Sequence, residues 1–145
     1  TLVLALVRGR HVFLAHLGDS RGYISERGRL KRLTQDHSVA AALLALGKLT
    51  PGEAAKHPLR NKLSRYIGQD GKAVADVHVA QLKGEGRLLL CSDGLTGMLS
   101  DERIAAALVD ERSPEAACRR LVREANEAGG TDNVTALVVD LARGG

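Results

Sequence analysis

The sequence predicts an α+β fold with antiparallel sheet, and three observations support this. Short apolar runs in the first third of the chain are separated by turns that contain glycine, which is typical of β-hairpins. Two segments with a helical apolar stripe follow one another near the C-terminal end. A single apolar run then closes the sequence. Grouped strands and grouped helices favour an antiparallel α+β arrangement over a doubly wound parallel sheet.

Two β-hairpins are predicted at the start of the chain. The apolar runs 1–7 and 11–17 are joined by a three-residue turn with glycine at its centre. The runs 22–25 and 29–33 are joined by a second short turn, which ends in glycine. Short connections of this kind between apolar runs indicate neighbouring antiparallel strands.

Two short helices are expected next. Residues 39–46 are rich in alanine and leucine, which favour helix, and Gly47 provides a stop. Thr50, Pro51 and Glu53 match a capping box with proline at the first helical position. This second helix should end before the following proline, because the residue that precedes a proline disfavours helical geometry.

Three strands are predicted in the remainder of the chain. Residues 62–67 carry no decisive pattern, but in 74–82 valines alternate with polar residues, which indicates a half-exposed strand. Residues 87–91 are a continuous apolar run, as expected of a strand buried on both faces. The last strand is expected over 134–141.

Two longer helices are predicted between these last two strands. The first starts at Ser100 as N-cap, and the acidic residues that follow it favour the positive end of the helix dipole. The second starts at Ser113 and stops at Gly129-Gly130. The expected apolar faces are Ile104, Ala105 and Leu108 in the first helix and Ala117, Leu121 and Ala125 in the second.

Length and composition are those of one ordinary domain, 1–145. The chain is 44% apolar and 26% charged, and its net charge of +4 is spread along the sequence. Proteins that read nucleic acid usually show a basic stripe with interleaved aromatic residues, and aromatics here make up only 2%. No nucleic-acid partner is therefore predicted.

The two cysteines and the hydropathy pattern predict a cytoplasmic setting. Cys91 and Cys118 have neither the number nor the spacing of a disulfide framework or a zinc site, so two buried thiols in a reducing compartment are expected. No secretory signal and no apolar run of about 18 residues occurs, so no membrane contact is predicted for this segment.

Three aspartates occupy the same kind of position, next to a predicted strand and near glycine. They are Asp19, Asp93 and Asp132. Each alone is most simply a turn residue. If these strand ends meet at one edge, however, three carboxylates converge and require a cation, and Mg²⁺ or Mn²⁺ suits an all-oxygen site. Such an arrangement supports metal-assisted hydrolysis of a phosphoester.

The sequence around these aspartates resembles the later motifs of the type 2C (PPM) protein phosphatases. The stretches that carry the resemblance are Leu17-Gly18-Asp19-Ser20-Arg21, Leu33-Thr34-Gln35-Asp36-His37-Ser38, Leu90-Cys91-Ser92-Asp93-Gly94-Leu95 and Gly130-Thr131-Asp132-Asn133-Val134-Thr135. Residues 46–65 look like the flap segment of the bacterial members. Four motifs in the family's order make the resemblance specific, and it covers nearly the whole chain.

The resemblance implies a fold and a set of roles. The fold is two antiparallel sheets packed face to face with helices outside, in α-β-β-α layers, here incomplete at the N-terminus. Asp93 and Asp132 match ligands of a two-metal centre for Mn²⁺ or Mg²⁺, and Asp19 and Asp93 match ligands of a third, looser ion. Ser92, Gly94 and Asn133 would support these carboxylates. Residues 39–61 would form a flap whose Arg60 and Asn61 approach the substrate.

The implied function is a serine/threonine phosphoprotein phosphatase in signalling, in which a metal-activated water attacks the phosphoester. A phosphorylated protein is the expected partner, and the enzyme is expected to be a monomer. The family's acidic first motif and its Asp-Gly-x-Gly-Gly motif are not in the sequence, which opens at Thr1 without Met. We therefore expect an excerpt of a longer polypeptide, without a catalytic group beyond metal ligands and inactive alone.

Two alternatives stand beside this interpretation. The stretch Gly18-Asp19-Ser20-Arg21-Gly22 fits the nucleophile-elbow pattern of serine hydrolases, which requires a strand before the serine and a helix after it. A non-catalytic regulatory domain on the phosphatase scaffold is the second alternative, and the missing motifs support it.

Overall fold

A computed structural model describes residues 1–142, and four of its strands lie in the first quarter of the chain. They are β1 (Leu2–Arg8), β2 (His11–Leu17), β3 (Arg21–Glu26) and β4 (Arg29–Arg32). Both predicted hairpins are present. Arg27 and Gly28 between β3 and β4 have φ of 52° and 72°, the left-handed geometry of a tight two-residue hairpin turn.

The middle of the chain holds two short helices and two strands. They are α1 (Val39–Ala45), α2 (Pro51–Lys56), β5 (Asp76–Gln81) and β6 (Gly86–Cys91). The predicted capping box of α2 is formed, because the Thr50 amide donates to Glu53 Oε2 at 2.7 Å and the Glu53 amide donates to Thr50 Oγ1 at 3.3 Å. These bonds satisfy amides that a helix start leaves without partners.

The last third contains three helices and a strand. They are α3 (Asp93–Thr96), α4 (Asp101–Asp110), α5 (Pro114–Glu127) and β7 (Ala136–Leu141). The short helix α3 was not predicted, since four residues carry no periodic pattern. In α4 the predicted inward position Ala105 is only half-buried, and Ala107 is buried in its place.

The strands form two antiparallel sheets that pack face to face. The three-stranded sheet has the order β1-β2-β5 and the four-stranded sheet the order β4-β3-β6-β7. Val12 of the first sheet packs with Ile24 and Leu88 of the second in one buried cluster. The sheets approach so closely that a Cβ on Gly22 would lie 2.3 Å from Cδ1 of Leu14. The predicted antiparallel α+β class is confirmed.

A second core lies between the four-stranded sheet and the helices. Tyr23 and Leu89 of the sheet, both fully buried, pack with Leu95 after β6, Ile104 of α4 and Leu121 of α5. The predicted stripe of α5 is confirmed, since all three of its members are fully buried. Helices therefore cover one side of the sandwich, giving three of the four expected layers within residues 1–142.

The outer face of the three-stranded sheet is apolar and exposed. Its side chains include Leu4 and Leu6, 58% and 63% exposed, and Val77 and Val79, 68% and 60% exposed. The alternation in β5 was predicted, but it places the valines outside and His78 inside. A two-residue period fixes which residues share a face and not which face is buried.

The structure shows the state of the two cysteines and the character of the helices, from which a reducing compartment and no membrane contact were predicted. Cys91 is buried, and burial raises the pKa of its thiol to about 12. Cys118 is only half-buried, contrary to expectation, and both thiols are free. Among the described residues, no helix combines the length and the apolar character needed to cross a bilayer.

We expect Leu89→Ala to lower the free energy of unfolding by about 2–5 kcal/mol, because it opens a cavity where the second core meets the sheet. Urea denaturation followed by circular dichroism measures this. Leu46→Ala is the matched control, since Leu46 is 70% exposed and its truncation should change stability by less than about 0.5 kcal/mol. Equal effects of the two substitutions would contradict the assignment of the core.

Candidate functional site

The loop that carries Asp19 follows β2 and is held by a histidine. Gly18 has φ of 109°, a backbone geometry that favours glycine. Its amide donates to His37 Nδ1 at 3.1 Å, and its carbonyl accepts the His37 amide at 2.9 Å. This two-point contact fixes the backbone immediately before Asp19, whose side chain is half-buried.

The loops that carry Asp93 and Asp132 are tied together through Ser92. The Ser92 amide donates to the Thr135 carbonyl at 3.1 Å, and the Thr135 amide donates to Ser92 Oγ at 3.0 Å. Ser92 Oγ also donates to the Asn133 carbonyl at 3.2 Å. Ser92 thus joins two loops that are about 40 residues apart in the chain, and it acts on the backbone rather than directly on a carboxylate.

Gly94 allows this contact to be close. A Cβ at this position would lie 2.3 Å from the Asn133 carbonyl oxygen, a distance that no real Cβ contact allows. Asp93 begins α3 on one side of this contact, and Asp132 lies on the other. Any side chain larger than hydrogen here would push the Asp93 and Asp132 loops apart.

All three predicted carboxylates line one cleft of about 930 Å³ at the end of the sandwich. Arg60 and Asn61, the predicted substrate-facing residues, line the same cleft, as does Gly94. Helices α1 and α2 contribute an apolar wall. The residues of that wall are Ala40, Ala41, Leu44, Pro51, Ala54 and Ala55. The predicted flap segment therefore borders the carboxylates, while its mobility stays a prediction.

The electrostatics of the cleft favour a bound cation. Burial, and then the nearby charge of Asp93, raise the pKa of Asp19 above its ordinary value. A raised carboxyl pKa means that the ionised form is disfavoured in the folded chain, so this carboxylate lowers stability once it ionises. Within residues 1–142 Asp19, Asp93 and Asp132 form no ion pair with a basic side chain. A cation would compensate this unpaired negative charge.

The donor set fits a hard divalent ion. The candidate ligands are carboxylate oxygens, and the cleft is lined by neither cysteine nor histidine. The Asn133 amide donates to Asp132 Oδ1 at 2.7 Å, which orients that carboxylate. Carboxylates with open space for water suit Mg²⁺ or Mn²⁺ better than the softer transition metals.

An ion-pair network that was not singled out in the sequence forms another wall of the cleft. Arg21 donates to both oxygens of Asp36, from Nε at 3.0 Å and from Nη2 at 2.7 Å, and Arg32 pairs with the same carboxylate. Although burial opposes it, hydrogen bonding to Asp36 holds the pKa of Arg21 above its usual value. The negative charge of Asp36 is thereby compensated by two guanidinium groups, whereas the charge of Asp19 has no such partner among residues 1–142. Both Arg21 and Asp36 lie in the quoted motifs, but their pairing requires tertiary structure.

Arg65 lies outside the cleft. Its guanidinium donates to both oxygens of Asp76, at 2.7 and 3.1 Å. Arg65 is therefore held in a structural ion pair. Within residues 39–65, Arg60 is the basic residue that lines the cleft together with the carboxylates.

The serine-hydrolase alternative is wrong. Ser20 is followed directly by strand β3 and not by the helix that a nucleophile elbow requires. Its hydroxyl contacts the hydroxyl of Thr1 at 2.8 Å.

Two family models match the sequence. Residues 1–43 match "Protein phosphatase 2C", and residues 49–142 match "Stage II sporulation protein E (SpoIIE)". The chain is 39% identical over 140 residues to the serine/threonine phosphatase stp of Listeria welshimeri, covering 97% of this chain and 56% of that protein. It is also 39% identical over 142 residues to the serine/threonine protein phosphatase PstP of Mycobacterium tuberculosis, of which it covers 27%. The chain thus spans about half or less of the length of these relatives.

Solved structures of similar fold agree with these matches. The serine/threonine phosphatase of S. agalactiae gives a TM-score of 0.87 at 40% identity, over 92% of this chain and 56% of that one. Stp1 from Staphylococcus aureus gives a TM-score of 0.89 at 35% identity, over 96% of this chain and 55% of that one. The catalytic domain of PstP in complex with two manganese ions gives a TM-score of 0.80 at 33% identity, over 97% of this chain and 57% of that one.

We expect Gly94→Ala to weaken Mn²⁺ binding and to lower stability by about 1–3 kcal/mol, the usual cost of forcing a methyl group into packed space. Isothermal titration with Mn²⁺ and thermal denaturation test both effects. Gly52→Ala is the control, because a Cβ there meets nothing within 4 Å. If Gly94→Ala behaves like Gly52→Ala, the close contact between the Asp93 and Asp132 loops does not exist in solution.

Proposed function

We propose a function from the family to which this chain belongs, the bacterial branch of the PPM (type 2C) protein phosphatases. In this proposal the chain supplies one part of the active site of a metal-dependent serine/threonine phosphoprotein phosphatase. The observation that carries the proposal is that Asp19, Asp93 and Asp132, from three separate loops, line one cleft. The named relatives are protein phosphatases, which supports a phosphorylated protein as the substrate.

In this proposal the three carboxylates hold divalent ions, and Mn²⁺ or Mg²⁺ are the candidates. Asp93 and Asp132 serve a two-ion centre, and Asp19 with Asp93 serves a third, looser position. When bound, such ions lower the pKa of a water molecule and neutralise phosphoryl oxygens. The two manganese ions in the structure of PstP support this choice for a related protein.

The chain's own residues would fix the geometry of the reaction. Ser92 and Gly94 hold the Asp93 and Asp132 loops at a set separation, which keeps the carboxylates ready without reorganisation. Arg60, an exposed residue of the cleft lining, would meet the dianionic phosphate of an approaching substrate. The apolar wall formed by α1 and α2 would limit the access of bulk water.

The activity of the 145-residue chain by itself is proposed to be low or absent. Its sequence contains no Asp-Gly-x-Gly-Gly motif, and three carboxylates without further ligands would bind two divalent ions weakly. We further propose a cytoplasmic setting, which the two free cysteines support. A role in signalling is part of the same proposal.

We expect the intact gene product to hydrolyse p-nitrophenyl phosphate with Mn²⁺, and EDTA to abolish this activity. Asp132→Asn and Asp93→Asn should each lower kcat/KM by about 100-fold or more, because even an outer hydrogen-bond partner of a metal ligand is worth about 10- to 100-fold. Steady-state kinetics at saturating Mn²⁺ provides the measurement.

Asp110→Asn is the matched control, since this aspartate is 60% exposed on the far helix layer and should leave the rate unchanged. Activity that survives chelation, or that is indifferent to Asp93 and Asp132, would overturn the mechanism. An intact gene product that binds phosphopeptides without hydrolysing them would favour the regulatory-domain alternative.

We expect Arg60→Ala to raise KM for a phosphothreonine peptide by about tenfold, with a smaller change in kcat. A tenfold change in KM corresponds to the loss of one charge-assisted hydrogen bond to the phosphate. Arg119→Ala on the outer surface of α5 is the control, as its side chain is 78% exposed. A KM that is the same in both variants would remove Arg60 from substrate binding.

A further inference from the structure

A second cluster of possible ligands lies inside the sandwich, on the inner face of the three-stranded sheet. His16 of β2 pairs in register with Asp76 of β5, and His78 follows two residues later on the same face of β5. A nitrogen of each histidine and a carboxylate oxygen of Asp76 all lie within 4.8 Å of one another. None of the three lines the carboxylate cleft.

Two imidazole nitrogens in this cluster are buried without a hydrogen-bond partner. They are Nδ1 of His16 and Nε2 of His78. His16 is completely buried, and its other nitrogen, Nε2, lies 2.8 Å from the Gln35 carbonyl oxygen. A carbonyl can only accept, so Nε2 carries the proton and Nδ1 presents a bare lone pair. A buried polar atom without a hydrogen-bond partner destabilises the folded chain, so a partner is expected.

The surroundings of His16 are those of a metal ligand. A metal-binding histidine ordinarily donates its second ring N–H to a backbone carbonyl or a carboxylate, which fixes the tautomer and turns the free nitrogen toward the ion. The contact between His16 and Gln35 has this form.

Asp76 retains the capacity to be a third ligand. Its Oδ2 accepts from His37 Nε2 at 3.1 Å and from Arg65 Nη2 at 3.1 Å, and its Oδ1 accepts from Arg65 Nη1 at 2.7 Å. A carboxylate has about four acceptor positions, so one remains, on Oδ1. These hydrogen bonds also orient the carboxylate, and its 35% exposure provides a route from solvent.

We propose that His16, His78 and Asp76 form a binding site for a divalent transition-metal ion of the zinc type. Two imidazoles and one carboxylate match the ligands of Zn²⁺, Co²⁺ and Ni²⁺, whereas Mg²⁺ and Mn²⁺ prefer all-oxygen sites. Ligand atoms around a tetrahedral Zn²⁺ are about 3.4 Å apart for metal–ligand bonds of about 2.1 Å. The cluster therefore has to contract, and the rings of His16 and His78, which are stacked with centroids 5.4 Å apart, have to turn toward a common point. The half-buried positions of Asp76 and His78 allow this.

The test is the binding of Zn²⁺ and Co²⁺ to the purified chain in the presence of excess Mg²⁺. Competition with a chromophoric chelator gives the Zn²⁺ affinity, and the visible spectrum of the Co²⁺ form reports the geometry. We expect one tight ion per chain, the strong absorption of tetrahedral Co²⁺, and an increase of the thermal midpoint with Zn²⁺.

His78→Gln should weaken Zn²⁺ binding about tenfold or more and abolish the Co²⁺ spectrum. His11→Gln is the matched control, because His11 lies exposed on the same strand as His16. His16→Gln, checked for folding by circular dichroism, should repeat the loss. Zn²⁺ binding that is unchanged in His78→Gln, a Co²⁺ spectrum typical of octahedral oxygen ligands, or a loss of binding confined to Asp132→Asn or Cys118→Ser would each overturn the proposal.

Discussion

The junction between the loop after β6 and the loop before β7 is the constraint on which the candidate site depends. Ser92 exchanges hydrogen bonds with Thr135, and Gly94 lies directly against the Asn133 carbonyl. This junction extends the pairing of β6 with β7 beyond the end of the strands. Because Asp93 and Asp132 are attached to its two sides, this extension of the antiparallel ladder fixes the two loops that carry them against each other.

The rest of the fold serves to hold that junction at the edge of a rigid body. The core between the sheets fixes β2 against β3, so Asp19 at the end of β2 reaches the same edge as Asp93 at the end of β6. The helical core supports the other side of β6, and Leu95 of α3 is completely buried in it. Packed apolar surface therefore holds the carboxylate-bearing loops at this edge, where burial, and then the nearby charge of Asp93, raise the pKa of Asp19.

The sequence was sufficient to predict most elements, because hairpin turns, helix caps and apolar stripes are local signals. The antiparallel class followed from their grouping. The three aspartates at strand ends do line one cleft, and their shared binding of metal ions stays a prediction. These local signals could not predict which face of β5 is buried. Val77 and Val79 are the more apolar residues of the strand, yet they are exposed, while His78 lies inside and its ring stacks on that of His16.

Pairings between distant residues also escaped prediction. Arg21 and Asp36 entered the sequence analysis only as members of the phosphatase-like motifs. Their pairing with each other and with Arg32 is visible only when β3 and β4 lie side by side. Likewise, the five histidines showed no ligand spacing along the chain. His16 and His78 are 62 residues apart and meet through strand register, which has no signature in local sequence.

His37 connects the two sites. Its Nδ1 accepts the Gly18 amide beside Asp19, and its Nε2 donates to Asp76 in the histidine cluster, so both ring nitrogens are committed and the tautomer is fixed. The His37 ring also stacks on His16, with centroids 4.5 Å apart. An ion that draws Asp76 inward therefore acts on a side chain that holds the Asp19 loop. His37 is hydrogen-bonded on one side to the loop that carries Asp19 and on the other to Asp76 of the histidine cluster, so a single ring lies between the two sites.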